Sequence, residues 1–147
     1  MAFTSGQPSC GSAARRNVPS TVFQVCRALK NTGSHYIDVE TLEWQGTDFP
    51  GVEMKMLWQD STTGAFTALF RMEPGARLPL HRHTQVAQTF ILEGSLVDEQ
   101  GECSAGNFVW RSEGSVHEVH SPNGCVSISV FKQPNEFLAG DPRQEDS

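Results

Sequence analysis

Gly75-Ala-Arg-Leu-Pro-Leu-His81-Arg-His83, with Phe90-Ile-Leu-Glu-Gly94 shortly after it, is the part of this 147-residue chain that decides how the rest is read. His81 and His83 are two apart in a segment that reads as a strand. Side chains alternate along a strand, so both imidazoles point to one face, with their backbones roughly 7 Å apart. Two rings so placed can converge on one metal ion through bonds of about 2.0–2.1 Å. A third imidazole from another strand would complete a facial set and leave positions open for water, oxygen or substrate. Alone, an H-x-H pair is more often two ordinary surface or core histidines, so its meaning rests on the surroundings.

Those surroundings are strands and turns. Short apolar stretches recur at 36–39, 52–58, 66–72, 89–92, 95–98, 108–110, 116–119 and 126–131. Between them lie turn signals such as Pro50-Gly51, Thr63-Gly64, Pro74-Gly75, Glu93-Gly94, Glu113-Gly114 and Asn123-Gly124. Short strands with turns at regular spacing predict an all-β sandwich or barrel. In Val126-Ser-Ile-Ser-Val130 strict alternation sets Val126, Ile128 and Val130 on one face, which predicts that this face lies in a core. The composition agrees: 13 Gly, 8 Pro and 9 Phe suit a turn-rich β protein better than a helical bundle.

Charge and length narrow the function classes. The chain fits one domain. Eleven basic against seventeen acidic residues give a net charge of −6, which offers no basic face for nucleic acid. No apolar run approaches the roughly 20 residues of a membrane-spanning helix. Every acid lies at or beyond Asp38, whereas residues 1–37 carry Arg15, Arg16, Arg27 and Lys30. Residues 1–33 therefore read as a flexible or targeting-like leader, 34–139 as the barrel, and 140–147 as a loose polar tail. A cytoplasmic protein is expected, or an organellar one if the leader is a targeting peptide. Cys10, Cys26, Cys103 and Cys125 form no C-x-x-C pair, so reduced thiols are expected. Nothing in their spacing brings them to the histidines.

Taken together, these residues resemble the cupin superfamily. Its first motif, G-x5-H-x-H-x3/4-E-x6-G, is met by Gly75, His81, His83 and Gly94. Its second, G-x5-P-x-G-x2-H-x3-N, is met by Gly106, Gly114 and His117, with Ser112 in the Pro place and Ser121 in the Asn place. The resemblance implies a single cupin jelly-roll barrel, with each motif glycine where a strand turns sharply. It also implies one divalent metal ion held by His81, His83 and His117. The superfamily's glutamate ligand falls at Ala87, whose methyl cannot bind metal. Gln88 matches the longer spacing and is a candidate fourth ligand, or a partner behind a ligand. Gln85 is another amide within reach. Three neutral imidazoles would leave the ion its full charge, favouring an anionic two-oxygen substrate such as an enolate. His120, three residues past His117, should point the other way, and His35 has no partner in sequence.

Leu42-Glu-Trp44-Gln, Phe49-Pro-Gly51-Val and His81-Arg-His83-Thr84 are similar to one branch of the cupins. That branch holds the cupin domain of ChrR-type anti-sigma factors and the acetylacetone-cleaving and dihydroxyacetophenone dioxygenases. The resemblance implies a non-haem iron(II) dioxygenase that cleaves a C–C bond of a small enolisable ketone or diketone with O2. The alternative is a non-catalytic zinc-binding sensor or accessory module. Iron(II) is favoured, with zinc, nickel and manganese open. A complete anti-sigma factor would need a helical domain with an H-x3-C-x2-C motif, which residues 1–37 lack. Phe90, Phe108 and Trp110 are candidates for an apolar wall around the substrate. A homodimer is implied, with residues 35–58 giving a swapped or capping strand.

Overall fold

The computed structural model describes residues 33–138, so the expectations for the leader, for Cys10 and Cys26, and for the polar tail lie outside the described residues. The chain divides into two units, Met1–Leu42 and Glu43–Ser147.

In the described part of the first unit, the strand expected at 36–39 does not form. The chain makes a 3-10 turn at Val39–Thr41 instead. Asp38 accounts for this: its carboxylate accepts from the Glu40 N–H at 3.2 Å, and its carbonyl accepts from the Thr41 hydroxyl at 2.8 Å. Such local bonds offer the backbone an alternative to a strand ladder.

The second unit is all β. Its strands are β1 (Gln45–Gly46), β2 (Val52–Gln59), β3 (Phe66–Met72), β4 (Arg77–Arg82), β5 (Ala87–Asp98), β6 (Gly101–Ser104), β7 (Phe108–Arg111), β8 (Val116–His120), β9 (Cys125–Phe131) and β10 (Glu136–Phe137). All pairings are antiparallel, as a jelly roll requires. One sheet runs β1-β2-β3-β9-β5-β7 and the other β10-β4-β8-β5-β6, with β5 common to both. Among the described residues no helix is long and apolar enough to cross a membrane. Phe49, Val52, Met72 and Cys125 form a buried apolar cluster, closed by Phe137 packed at a tilt against Phe49 with 4.5 Å between ring centroids.

Two irregularities shape the barrel. The first is in β5, where Glu93-Gly94 was expected to be a turn between two strands. It is a bulge inside one continuous strand, with the register against β9 shifting between Ile91 and Glu93. Gly94 has φ +68° and packs against the backbone of β9's leading turn; a Cβ there would collide with the Gly124 carbonyl. The bulge lets β5 bend out of one sheet and into the other. The second is in β4, where the register against β8 shifts between Leu78 and His81. Pro79 has no N–H to give the ladder, and a bulge is where a strand tolerates proline.

The β9 expectation is reversed. Ser127 and Ser129 are the buried, inward pair, while Val130 is exposed and Val126 and Ile128 are half-buried on the outer face. Alternation identifies two faces without saying which is inside. Here the interior holds a polar site: the Ser129 and Thr89 hydroxyls bond each other at 2.8 Å. Outside, Leu69, Ile128, Phe90 and Phe108 form an apolar cross-strand row.

Gly94→Ala should therefore cost at least about 2 kcal/mol in urea denaturation, since the left-handed penalty of roughly 1–2 kcal/mol adds to a backbone clash. Gly106→Ala, with φ +82° but open space around it, should cost only the first part. Equal losses at the two sites would contradict the role given to the β5 bulge.

A candidate metal centre of three histidines

The register of β4 on β8 sets His81 directly opposite His117. His83 lies one residue beyond β4 and is clamped to the 112–115 turn. Its N–H donates to the Ser115 carbonyl at 2.9 Å, and its carbonyl accepts from the Gly114 N–H at 2.7 Å. Gly114, at φ +81°, gives that turn its left-handed corner. The three rings are buried and packed with centroids 4.6–5.1 Å apart. Each offers a nitrogen within 4.8 Å of the others.

Hydrogen bonds orient two of the three rings. The carbonyl of Pro79, at the β4 bulge, can only accept, so His81 Nδ1–H donates to it at 2.8 Å and the Nε2 lone pair is left free. His117 Nδ1 lies 3.1 Å from Asp98 Oδ2 and 3.1 Å from Arg111 Nε. The Nε2 atoms of His83 and His117 face each other at 2.9 Å, while His83 Nδ1 is buried without a hydrogen-bond partner.

Burial holds all three imidazoles neutral. It lowers His81 to about 4, against the Pro79 hydrogen bond that raises it, with His117 and Arg111 lowering it further. It lowers His83 to about 3, helped by His81, His117 and Arg111. His117 is also lowered by burial, in part offset by its bond to Asp98. Burial alone would raise Asp98, but the bonds from His117 and the Gln100 N–H and the charge of Arg111 bring its carboxyl below the usual range. Neutral nitrogens as close as 2.9 Å suit two ligands of one ion with bonds of about 2.0–2.1 Å. The residues therefore fit a divalent transition metal.

Ala87 is buried in the cavity wall beside the histidines, so the position expected to lack a carboxylate does face the site. Gln88 is not brought to it. The period of two in β5 turns Gln88 outward, exposed on the face opposite Ala87 and Thr89. Gln85, in the loop before β5, does not line the cavity either. His120 falls on the face of β8 opposite the buried His117 and Val119, and His35 is exposed. Phe108 and Trp110 are exposed on the outer side of β7, whose inward residues are Val109 and Arg111. The apolar wall at the histidines is made instead by Phe70, Phe131, Val109 and Leu96.

Sequence reasoning missed Asp98 and Arg111. Asp98 ends β5 and Arg111 ends β7, thirteen residues on. Their side chains are ion-paired and well buried. An inward-facing arginine two residues after Val109 was a signal only once the face of β7 was known.

The cavity at the histidines has a volume of about 80 Å³. That is well below the roughly 300 Å³ where drug-sized pockets begin, so it admits only a molecule of few atoms. Leu96, Val109, Arg111 and His117 also line a larger groove of about 540 Å³ reaching the surface.

Residues 32–136 match the family model of the ChrR cupin-like domain. The chain belongs to this family. Among solved structures, this ChrR-family cupin is similar to a putative acetylacetone dioxygenase of Methylibium petroleiphilum PM1. The two are 20% identical over 74% of this chain and 83% of that one, with a TM-score of 0.68. An acetylacetone dioxygenase of Acinetobacter johnsonii is 19% identical over 74% and 80%, with a TM-score of 0.66. The anti-sigma ChrR of Rhodobacter sphaeroides, solved with SigE, is 21% identical over 64% of this chain and 50% of that one, with a TM-score of 0.55. No curated protein matches the sequence.

The lowered histidines set a pH dependence for the metal-free protein. Unfolded histidine titrates near 6.5, so below that pH the unfolded chain binds protons that His81 and His83 refuse. Their contribution to stability is whole above pH 6.5 and is lost as pH falls toward 4 and 3. The melting temperature of metal-free protein should drop between pH 6.5 and 4, and replacing both residues by Gln should flatten the drop. A wild-type profile no steeper than the double variant's would contradict this.

Proposed function

We propose that this cupin binds one iron(II) through His81, His83 and His117 and cleaves a C–C bond of a small enolisable ketone or diketone with O2. The observation that carries the reading is a buried cluster of three neutral imidazoles with Ala87 where a carboxylate ligand would stand. Iron(II) so held would supply Lewis-acid binding of two substrate oxygens and the electron transfer that O2 chemistry needs, with its full charge favouring an enolate.

The chain's own residues supply the rest. The narrow cavity selects a small substrate, and the Phe70, Val109 and Phe131 side chains form its apolar wall and exclude bulk water. The groove beside Arg111 and His117 is the route in. The names of the two dioxygenase relatives support this reading. The family match and the anti-sigma relative favour a second one, a zinc-binding sensor or accessory module without turnover.

An oxygen electrode separates the two. Protein loaded with iron(II) should take up oxygen with small β-diketones or hydroxyketones, and zinc-loaded protein and His83→Ala should not. Zinc retained tightly, with no uptake after exchange to iron(II), would move the conclusion to the sensor.

We further propose that the molecule is a homodimer. Phe90, Phe108, Trp110 and Val130 are exposed together on one sheet face, and an apolar face of this kind suits self-association. Trp58 is exposed on the same face, in the cross-strand row that runs through Thr67 and Val130 to Trp110, and lies within the segment expected to assist the dimer. Sedimentation should show a dimer whose dissociation constant rises about tenfold or more in Trp110→Glu; a wild-type monomer would contradict it.

A further inference from the structure

The contacts of His117 Nδ1 are chemically incompatible with one another. Arg111 Nε carries a hydrogen and can only donate, so its 3.1 Å contact needs a lone pair on Nδ1. The Asp98 carboxylate can only accept, so its 3.1 Å contact needs a proton on Nδ1. The two neighbours therefore favour opposite tautomers. On the far side of the ring, Nε2 faces His83 Nε2. A neutral imidazole that gives its Nε2 lone pair to a metal must carry its proton on Nδ1, and only Asp98 can then be satisfied.

We propose that Asp98 is the positioning residue that makes His117 a metal ligand. It holds the ring in the Nδ1–H tautomer through a hydrogen bond from behind the imidazole. The proposal rests on the three-histidine reading above.

The carboxylate is built for this task. Oδ1 accepts the Gln100 and Gly101 N–H groups at 2.9 and 3.1 Å, which fixes it from the β5–β6 turn. Oδ2 pairs with the second nitrogen of Arg111 and with His117, and the side chain is only 5% exposed. Arg111 thus aims the carboxylate, although its own Nε favours the other tautomer. Neither other ring has such support: His81 is backed by a neutral carbonyl, and His83 Nδ1 by no hydrogen-bond partner. A carboxylate behind a ligating imidazole raises its basicity, and losing one typically lowers metal affinity about 10–100-fold.

Asp98→Asn tests this closely. Its amide oxygen can keep the Gln100 and Gly101 bonds, while the charge is lost and an N–H is offered to Nδ1. Zinc affinity would be measured by competition with a chromophoric chelator, and ring protonation by long-range proton–nitrogen spectra of metal-free and zinc-loaded protein. We expect wild type to bind one zinc with His117 protonated on Nδ1. Asp98→Asn should bind zinc about 10–100-fold more weakly, with metal-free His117 moved to Nε2–H, and Asp98→Glu should recover part of the loss. Wild-type affinity in Asp98→Asn, or zinc-loaded wild type with the His117 proton on Nε2, would overturn the proposal. Should Asp98→Asn not fold, the wild-type spectrum alone decides. A wild type that takes no zinc would overturn the three-histidine reading and this inference with it. Zinc binding that is indifferent to position 98 would overturn this inference alone.

Discussion

Three imidazoles, kept neutral by burial and turned so that two Nε2 atoms meet at 2.9 Å, impose the central constraint on this barrel. Buried polar nitrogens are costly unless something receives their lone pairs. The His83–His117 contact can share one proton, and His83 Nδ1 has no hydrogen-bond partner. A cation bound by all three nitrogens uses the lone pairs that burial leaves idle. A site of this kind is a poor packing solution for the metal-free fold, and its cost is what makes it legible as a binding site.

The barrel brings those rings together through register. Pairing of β4 with β8 puts His81 across from His117, and the Pro79 bulge turns a free carbonyl toward His81 Nδ1. The clamp from Ser115 and Gly114 holds His83 where the strand has ended. β5 runs through both sheets, so its first half presents Ala87 and Thr89 to the cavity and its last residue delivers Asp98 behind His117. One strand thus places both Ala87 at the cavity wall and the carboxylate that contacts His117. The bulge between these halves falls between Ile91 and Glu93, and beside it Gly94 packs so close to the Gly124 carbonyl that only a residue without a side chain fits.

How much of this could be read in the sequence depended on the range of the information. The clustering of His81, His83 and His117 was legible because H-x-H fixes a shared face and the motif glycines fix the turns around it. The place of Ala87 beside the histidines followed from the same spacing. The inward face of β9 was not legible: alternation at Val126, Ile128 and Val130 marks an apolar face, and this molecule puts that face outside and lines its cavity with Ser127 and Ser129. Gln88 illustrates the same limit, since one residue of register moves a side chain from cavity to solvent. Asp98 and Arg111 become partners through long-range pairing, which local pattern cannot supply. At residues 36–39, apolar content suggested a strand, and the side chain of Asp38 turned the backbone instead.

Elemental analysis of the full chain, purified without a histidine tag or chelator, beside His81→Ala, His83→Ala and His117→Ala, would show whether the three imidazoles hold a metal. Wild type should carry about one equivalent of a divalent transition metal, lost in each variant with the fold retained. Wild type that carries no metal and takes up none when offered iron(II) or zinc would contradict the three-histidine reading.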